Sequence, residues 1–189
     1  MTEKTDTKTT KLLNARSVLK TIPFDVEECN VSFKGAPVKH KYHRLRINDW
    51  VNVLPITSDG KVILIRQDRV GAEENILETP GGVLDPEDQD QPAKAALREL
   101  EEETGYTSNE IISLGKINPN PAINTNYVHY YIAKNAYIPS ERKHFPDLHE
   151  HVENVIVELA LLPDLLKNNQ INHALSALLV YKALDYLKI

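Results

Sequence analysis

Two apolar runs joined by a tight-turn sequence constrain this chain more than any other feature. The runs are WVNVLPIT, Trp50–Thr57, and KVILIRQ, residues 61–67, and the three residues between them are SDG. Val and Ile favour strands because their branched side chains pack well on a buried, pleated surface. Asp-Gly is a strong hairpin signal, since glycine accepts the left-handed conformation that such turns require. The sequence therefore predicts a buried β-hairpin.

Strand and helix patterns alternate through the rest of the chain. Four further segments have strand character: residues 17–47, 111–117, 127–136 and 155–162. Three segments have helical character: residues 92–104, a short run from Pro163, and an amphipathic run over residues 172–189. A mixed sheet with three helices predicts an α+β fold, arranged as an α/β/α sandwich.

The 189 residues are long enough for one domain with an N-terminal appendage. We expect a disordered polar tail over residues 1–15, an N-terminal β segment over residues 16–47, and the main domain over residues 48–189.

Charge and composition argue against several classes of protein. The formal net charge is −5 and no dense Lys/Arg cluster is present, so a nucleic-acid partner is not expected. No apolar run approaches the roughly 20 residues of a membrane helix, so a membrane partner is not expected either. The polar N-terminus lacks a secretory signal and Cys29 is the only cysteine, which together predict a cytoplasmic protein.

The helix predicted over residues 92–104 is unusually acidic near its end. Glu99, Glu101, Glu102 and Glu103 lie within five consecutive positions. At about 100° per residue, Glu99, Glu102 and Glu103 share one face, whereas Glu101 points away from them and is expected to face solvent. Two such charges repel by about 1 kcal/mol in water at about 4 Å.

Two interpretations of this acidic face are compatible with its periodicity. It is either an ordinary solvated surface or a site for a hard divalent cation such as Mg²⁺, which takes oxygen ligands and is commonly held by carboxylates together with substrate phosphates.

A longer pattern favours the cation site. RELEEETGY, residues 98–106, resembles the core of the Nudix box, R-E-U-x-E-E-x-G-U, in which U is a bulky apolar residue. Every defined position matches, and the preceding PGG and AKAAL resemble the family's lead-in and helix start. The resemblance implies a Nudix fold and Mg²⁺, or Mn²⁺ in its place, as cofactor.

Carried over position by position, the resemblance implies a role for each box residue. Glu99 and Glu103 would be the principal metal ligands, with Glu102 assisting. Gly81 would contribute its backbone carbonyl to the metal. Arg98 would orient the carboxylates by ion pairing.

The loop before the helix departs from the family pattern. That pattern places Gly at position 84 and Glu at position 90, where this chain has Leu84 and Asp90. Two residues therefore look inserted after Gly82, and either Asp90 or Glu87 is expected to replace the first Glu of the box.

Sequence outside the box resembles the branch of the family that hydrolyses ADP-ribose and nucleoside diphosphate sugars. The resemblance rests on LIRQDRVGAEENILETPGG, on Pro121 fifteen residues past Tyr106, and on the N-terminal β segment. It implies a homodimer in which that segment contributes to the dimer and to the nucleotide site. The implied reaction is Mg²⁺-dependent cleavage of the pyrophosphate bond, giving a nucleoside monophosphate and a sugar phosphate. The alternatives are a non-catalytic nucleotide sensor and a hydrolase of another nucleoside diphosphate derivative.

The base and the substrate contacts have separate candidates. HEHVENVIVE resembles the loop that supplies a late Glu in this branch, which makes Glu153 the first candidate for the general base and Glu150 the second. Four residues are candidates for substrate contacts: Trp50 for stacking on the nucleobase, unless it is ordinary core; Arg69 for the diphosphate; Glu78 for the terminal ribose or the second metal shell; and Pro121 in the loop after the box.

Overall fold

The computed structural model describes residues 10–34, 39–88, 90–146 and 151–189. The chain divides into two compact units. The first unit comprises residues up to Asn48 together with Asn118–Asn126, and the second comprises Asp49–Ile117 and Tyr127–Ile189.

The first unit contains a three-stranded antiparallel sheet in the order β1-β2-β3. Its strands are β1, Thr10–Lys20; β2, Asp25–Phe33; and β3, Lys39–Arg46. The prediction that residues 1–15 form a disordered tail is wrong from Thr10 onward. Thr10 to Ala15 pair with Phe33 to Cys29 of β2, so the polar sequence there is the outer strand of a sheet.

The middle strand of this sheet is the one that is buried. Cys29 in β2 is 1% exposed and pairs with Ala15 on one side and Tyr42 on the other. Every residue of β1, by contrast, is exposed. The segment Asn118–Asn126 extends the unit beside β3, where the Leu45 N–H donates to the Ile123 carbonyl at 2.8 Å.

The second unit is built on a mixed sheet. Its strands are β4, Trp50–Thr57; β5, Lys61–Arg69; β6, Glu74–Glu78; β7, Gly81–Val83; β8, Glu110–Ile117; β9, Val128–Ala136; and β10, Val152–Glu158. The order is β10-β5-β4-β9-β8, with β6 beside β5 and β7 beside β4. Only the β4–β9 pairing is parallel among the strand pairs described. The predicted hairpin is confirmed, with Gly60 at φ 81° in the turn between β4 and β5.

Helices cover both faces of this sheet, as predicted for an α/β/α sandwich. They are α1, Pro92–Thr104; α2, Leu162–Lys167; and α3, Ala174–Leu187. Val51 and Val53 of β4 pack with α1, whereas Leu54 and Ile56 belong to the cluster that includes α2 and α3. This division follows from the two-residue period of a strand. None of the described helices is long and apolar enough to cross a membrane.

Helix α1 has the limits that its sequence predicts. Pro92 occupies its first turn, and Gly105 closes it in the left-handed conformation at φ 77°, where its N–H donates to the Glu101 carbonyl. Leu100, with Ala95 and Ala96, is fully buried against the sheet, so the opposite side of α1 is left for its acidic residues.

Candidate active site

A cavity of about 450 Å³ lies where the acidic face of α1 meets β5 and β7. Its lining includes all three carboxylates predicted to share a helix face, Glu99, Glu102 and Glu103, together with Arg98 and Arg69. The remaining described lining residues are Gln67, Gly81, Gly82, Val83, Asp85 and Phe145. We refer to this candidate active site as the catalytic cavity.

Arg98 holds several of these acids in one network of ion pairs. Its guanidinium nitrogens lie 2.7 Å from Glu102 Oε2, 3.1 Å from Glu99 Oε1 and 3.3 Å from Asp85 Oδ2. Burial would lower the pKa of Arg98, but the neighbouring carboxylates outweigh that effect and raise it above its ordinary value. Arg98 therefore stays charged and offsets the repulsion between the acids.

The two glycines of β7 allow the close approach of the acids. The Gly81 N–H donates to Glu103 Oε2 at 2.8 Å. A Cβ on Gly81 would lie 2.2 Å from the Val51 carbonyl oxygen, and one on Gly82 would lie 2.4 Å from Cδ of Glu99. No larger residue fits at either position without displacing backbone or a box carboxylate.

Two acids in the loop before the helix reach Arg98. Asp85 and Asp88 lie 3.3 and 3.5 Å from its guanidinium. Asp90 and Glu87, the two candidates for the first Glu of the box, are exposed. A short 3₁₀ turn at Pro86–Asp88 turns Asp88 toward Arg98.

The prediction that Glu101 faces solvent is wrong. Glu101 is 6% exposed, and its carboxylate accepts the Lys143 N–H at 2.7 Å. Arg142 donates to the Glu101 and Glu102 carbonyls at 2.9 and 2.7 Å, and so satisfies backbone acceptors in the last turn of α1. The segment 141–146 thus covers the side of Glu101, and its Phe145 reaches the catalytic cavity.

A buried carboxylate lies behind Arg69. Glu78 is 1% exposed, and its two oxygens accept hydrogen bonds from Arg69 Nε and Nη2 at 2.7 and 2.8 Å. Glu78 Oε2 also lies 2.9 Å from Nδ1 of His173. Burial would raise the pKa of Glu78, but hydrogen bonding and charge from Arg69 and His173 outweigh it and lower the pKa to about 2.

Comparison with known protein families identifies the family of this chain. The family model described as "NUDIX domain" matches residues 48–178, which is more than half of the chain. The chain belongs to the Nudix family.

Two named relatives and one solved structure are similar to this Nudix chain over most of its length. It is 33% identical over 139 residues to the ADP-ribose pyrophosphatase of Bacillus subtilis (strain 168), covering 74% of this chain and 71% of the relative. It is 30% identical over 179 residues to the ADP compounds hydrolase NudE of Escherichia coli (strain K12), covering 94% and 92%. A crystal structure of an ADP compounds hydrolase superposes with a TM-score of 0.79 at 28% identity, covering 96% of this chain and 95% of that one, which confirms the Nudix fold.

The donor atoms of the catalytic cavity suit Mg²⁺. The Nudix-box carboxylates and the Gly81 carbonyl provide only oxygen, which this ion prefers. In the described ranges no three His, Cys, Asp or Glu side chains are gathered into a metal site as they stand. Arg98 and the Gly81 N–H hold the box carboxylates by the contacts given above.

The structure does not bring Glu153 to the catalytic cavity. Glu153 of β10 pairs directly with Arg66 of β5, and directly opposed residues share a face of a sheet. Its neighbour Asn154 turns toward α1 and donates to the Thr104 carbonyl at 2.9 Å. Glu153 therefore faces away from α1 and lines a separate, shallow cavity with Arg66. Glu150 lies outside the described residues.

Two further substrate candidates, Trp50 and Pro121, are not among the described residues that line the catalytic cavity. Trp50 packs against the apolar cluster that contains Leu54 and Leu179, on the α3 side of the sheet. Pro121 belongs to the first unit, in a turn where the Asn124 N–H donates to the Asn120 carbonyl at 2.8 Å.

Sequence reasoning missed Gln67 and Phe145. Gln67 lies two residues before Arg69 in β5, so the same strand period that places Arg69 also places Gln67 on the cavity. Its buried amide oxygen accepts no hydrogen bond from the described residues. Phe145 carries no comparable signal, because it lies in an irregular segment whose position depends on Glu101.

Proposed function

We propose that this Nudix protein hydrolyses the pyrophosphate bond of ADP-ribose or a related nucleoside diphosphate sugar, with Mg²⁺ as cofactor. The products are a nucleoside monophosphate and a sugar phosphate. The observation that carries the proposal is one cavity lined by three box carboxylates and by Arg69 and Arg98. The names of the Bacillus and Escherichia relatives support the same substrate class.

The charged residues of the cavity have two roles: the carboxylates bind the metal ion, and the arginines bind the diphosphate or orient the carboxylates. Glu99, Glu102 and Glu103, with the Gly81 carbonyl, would hold Mg²⁺, or Mn²⁺ in its place. The chemistry that such an ion supplies is neutralisation of the diphosphate oxygens and activation of water. Arg69 binds the diphosphate by charge-assisted hydrogen bonds, and Arg98 keeps the carboxylates correctly oriented.

The direct test is a substrate panel with the purified protein and Mg²⁺. ADP-ribose, GDP-sugars and UDP-sugars are incubated separately, and the nucleotides are separated by chromatography. We expect release of AMP from ADP-ribose, or of the matching nucleoside monophosphate from one of the other substrates, and loss of the reaction in EDTA. Nucleotide binding without turnover on any substrate would reject the enzyme and favour the alternative, a nucleotide sensor.

The general base is proposed to be Glu150 rather than Glu153, because Glu153 faces away from α1. We expect Glu150→Gln to lower kcat by about 100-fold, and Glu153→Gln to change it by less than about twofold. Steady-state kinetics of the two variants side by side measure both effects. A large loss in Glu153→Gln with normal Glu150→Gln would reverse the assignment.

A homodimer formed through the first unit is also proposed. The edge strand β1 exposes Leu12, Leu13, Val18 and Leu19, each between 41% and 55%. Exposed apolar side chains on an outer strand are typical of an interface. Light scattering should give twice the chain mass of 21.4 kDa. Leu19→Glu is expected to yield monomer, whereas Ile138→Glu, which changes an exposed residue of the second unit, should leave the dimer intact; a wild-type monomer contradicts the proposal.

We propose a cytoplasmic location as well. Its support is that Cys29, the only cysteine, is free and buried, as suits a reducing compartment. Recovery of the protein outside the cytoplasm in cell fractionation would reject a cytoplasmic location.

A further inference from the structure

We propose that His173 is a positioning residue for substrate binding: acting through Glu78, it fixes the guanidinium of Arg69 at the catalytic cavity. The inference rests on the proposed function, because Arg69 is there the ligand of the diphosphate.

Glu78 is the central group of this arrangement. A carboxylate that is 1% exposed needs hydrogen-bond donors to remain ionised. Arg69 provides two parallel bonds, from Nε to Oε1 and from Nη2 to Oε2, and this bidentate geometry fixes the plane of the guanidinium. Any rotation of the Glu78 carboxylate is therefore transmitted to Arg69.

His173 is the group that opposes such a rotation. Its Nδ1 lies 2.9 Å from Glu78 Oε2, the oxygen that also accepts from Arg69 Nη2. An ionised carboxylate can only accept, so Nδ1 must carry the proton of this contact. Without His173, Arg69 would be the only partner of the Glu78 carboxylate among the described contacts.

The position of His173 is itself fixed by the core. His173 precedes α3 as its N-terminal cap residue, and its carbonyl accepts the Ala177 N–H at 2.9 Å. Its Nδ1 lies 3.0 Å from Oγ of Ser176, which is fully buried and accepts the Thr79 N–H at 3.0 Å. Thr79 directly follows Glu78 in the chain. Ser176 therefore links the imidazole of His173 to the backbone next to the Glu78 carboxylate.

Arg69 lies between two cavities and contributes to the lining of both. Arg69 lines the catalytic cavity, and Arg69, Glu78 and His173 all line a second cavity of about 540 Å³ beside β6. The side chain of Arg69 is 42% exposed, so it is accessible from solvent while its Nε and Nη2 donate to Glu78.

The test combines binding with a double-mutant cycle. ADP-ribose binding is measured by calorimetry in EDTA, where no turnover occurs, and kcat and KM are measured with Mg²⁺. His173→Phe keeps a ring but removes the donor, and we expect it to weaken binding and raise KM by about tenfold with a smaller change in kcat. His173→Asn keeps an N–H near the position of Nδ1 and should restore most of the affinity.

The same substitution in an Arg69→Ala background distinguishes positioning from general damage. If His173 acts through Arg69, His173→Phe should weaken binding there by less than about twofold, since effects that share one path are not additive. Equal loss in both backgrounds, or unchanged binding by His173→Phe in the native background, overturns the inference.

A measurement on the wild-type protein covers the case in which His173→Phe does not fold. Two-bond ¹H–¹⁵N correlation of the imidazole rings should show a proton on Nδ1 of His173, and an Nδ1 without a proton overturns the inference. The two failures are distinguishable: a wild-type protein that neither binds nor cleaves any panel substrate rejects the proposed function, whereas active wild type with unaffected variants rejects only the role of His173.

Discussion

Glu103→Gln is expected to lower kcat by about 100-fold or more while leaving the fold intact. Glu103 lies on the catalytic cavity and accepts the Gly81 N–H at 2.8 Å. The amide has nearly the same size as the carboxylate, but it lacks the negative charge that a hard cation requires. If the metal ion stabilises the transition state less by several kcal/mol, the rate falls by at least two powers of ten.

Steady-state kinetics and thermal unfolding of the purified variant measure this effect. The matched control is Glu110→Gln, which removes an exposed carboxylate of β8 that pairs with Lys134. Activity of the Glu103 variant close to that of the control would mean that Glu103 is an ordinary surface acid.

Acid should destabilise the protein through Glu78. The pKa of Glu78 falls from its ordinary 4.5 to about 2 in the folded state. Because the pKa of Glu78 is lower in the folded state, its ionised carboxylate stabilises that state fully above pH 4.5. This contribution to the unfolding free energy is lost as the pH falls toward 2. The shift corresponds to about 3 kcal/mol of unfolding free energy.

Urea unfolding at several pH values between 6 and 2 compares the wild type with Glu78→Gln. The variant should be less stable at pH 6, because Arg69 and His173 lose a charged acceptor, but its stability should fall less steeply below pH 4.5. The other carboxylates titrate in both proteins, so the difference between the two curves isolates Glu78. If the unfolding free energies of the two proteins changed in parallel with pH, the pKa of Glu78 would be the same in the folded and unfolded states.

Local patterns predicted the elements that depend on nearby residues. The hairpin at Asp59-Gly60 follows from turn chemistry, and α1 follows from Pro92, Gly105 and the apolar stripe through Leu100. The three carboxylates that share a helix face do line one cavity, because helical periodicity alone determines which side chains lie together.

The side chains whose environment depends on distant segments were not predictable in this way. Glu101 lies off the acidic face, but the helix alone does not reveal that residues 141–146 cover it. The place of Glu153 in the sequence makes it a candidate for the base, whereas the direction of its side chain depends on the register of β10 against β5. A shift of one residue in that register would turn it to the other face.

The loop after Gly82, where two residues look inserted relative to the family pattern, is a second example. Counting back from Arg98 indicates Asp90 as the replacement for the first Glu of the box, but it does not reveal that Asp85 and Asp88 contact the guanidinium or that Leu84 is fully buried. The ion-pair partner is determined by the path of the chain around a buried leucine, which the spacing of a motif does not encode.

The lone thiol in the middle of the first unit's sheet provides a built-in reporter. Because Cys29 is 1% exposed and no second cysteine competes for reagent, modification by a thiol-specific dye requires that β2 be uncovered. The labelling rate of the unaltered protein, compared with that of the unfolded chain, gives the free energy of that local opening. The dynamics of the N-terminal sheet are thus measurable without introducing a mutation or a tag.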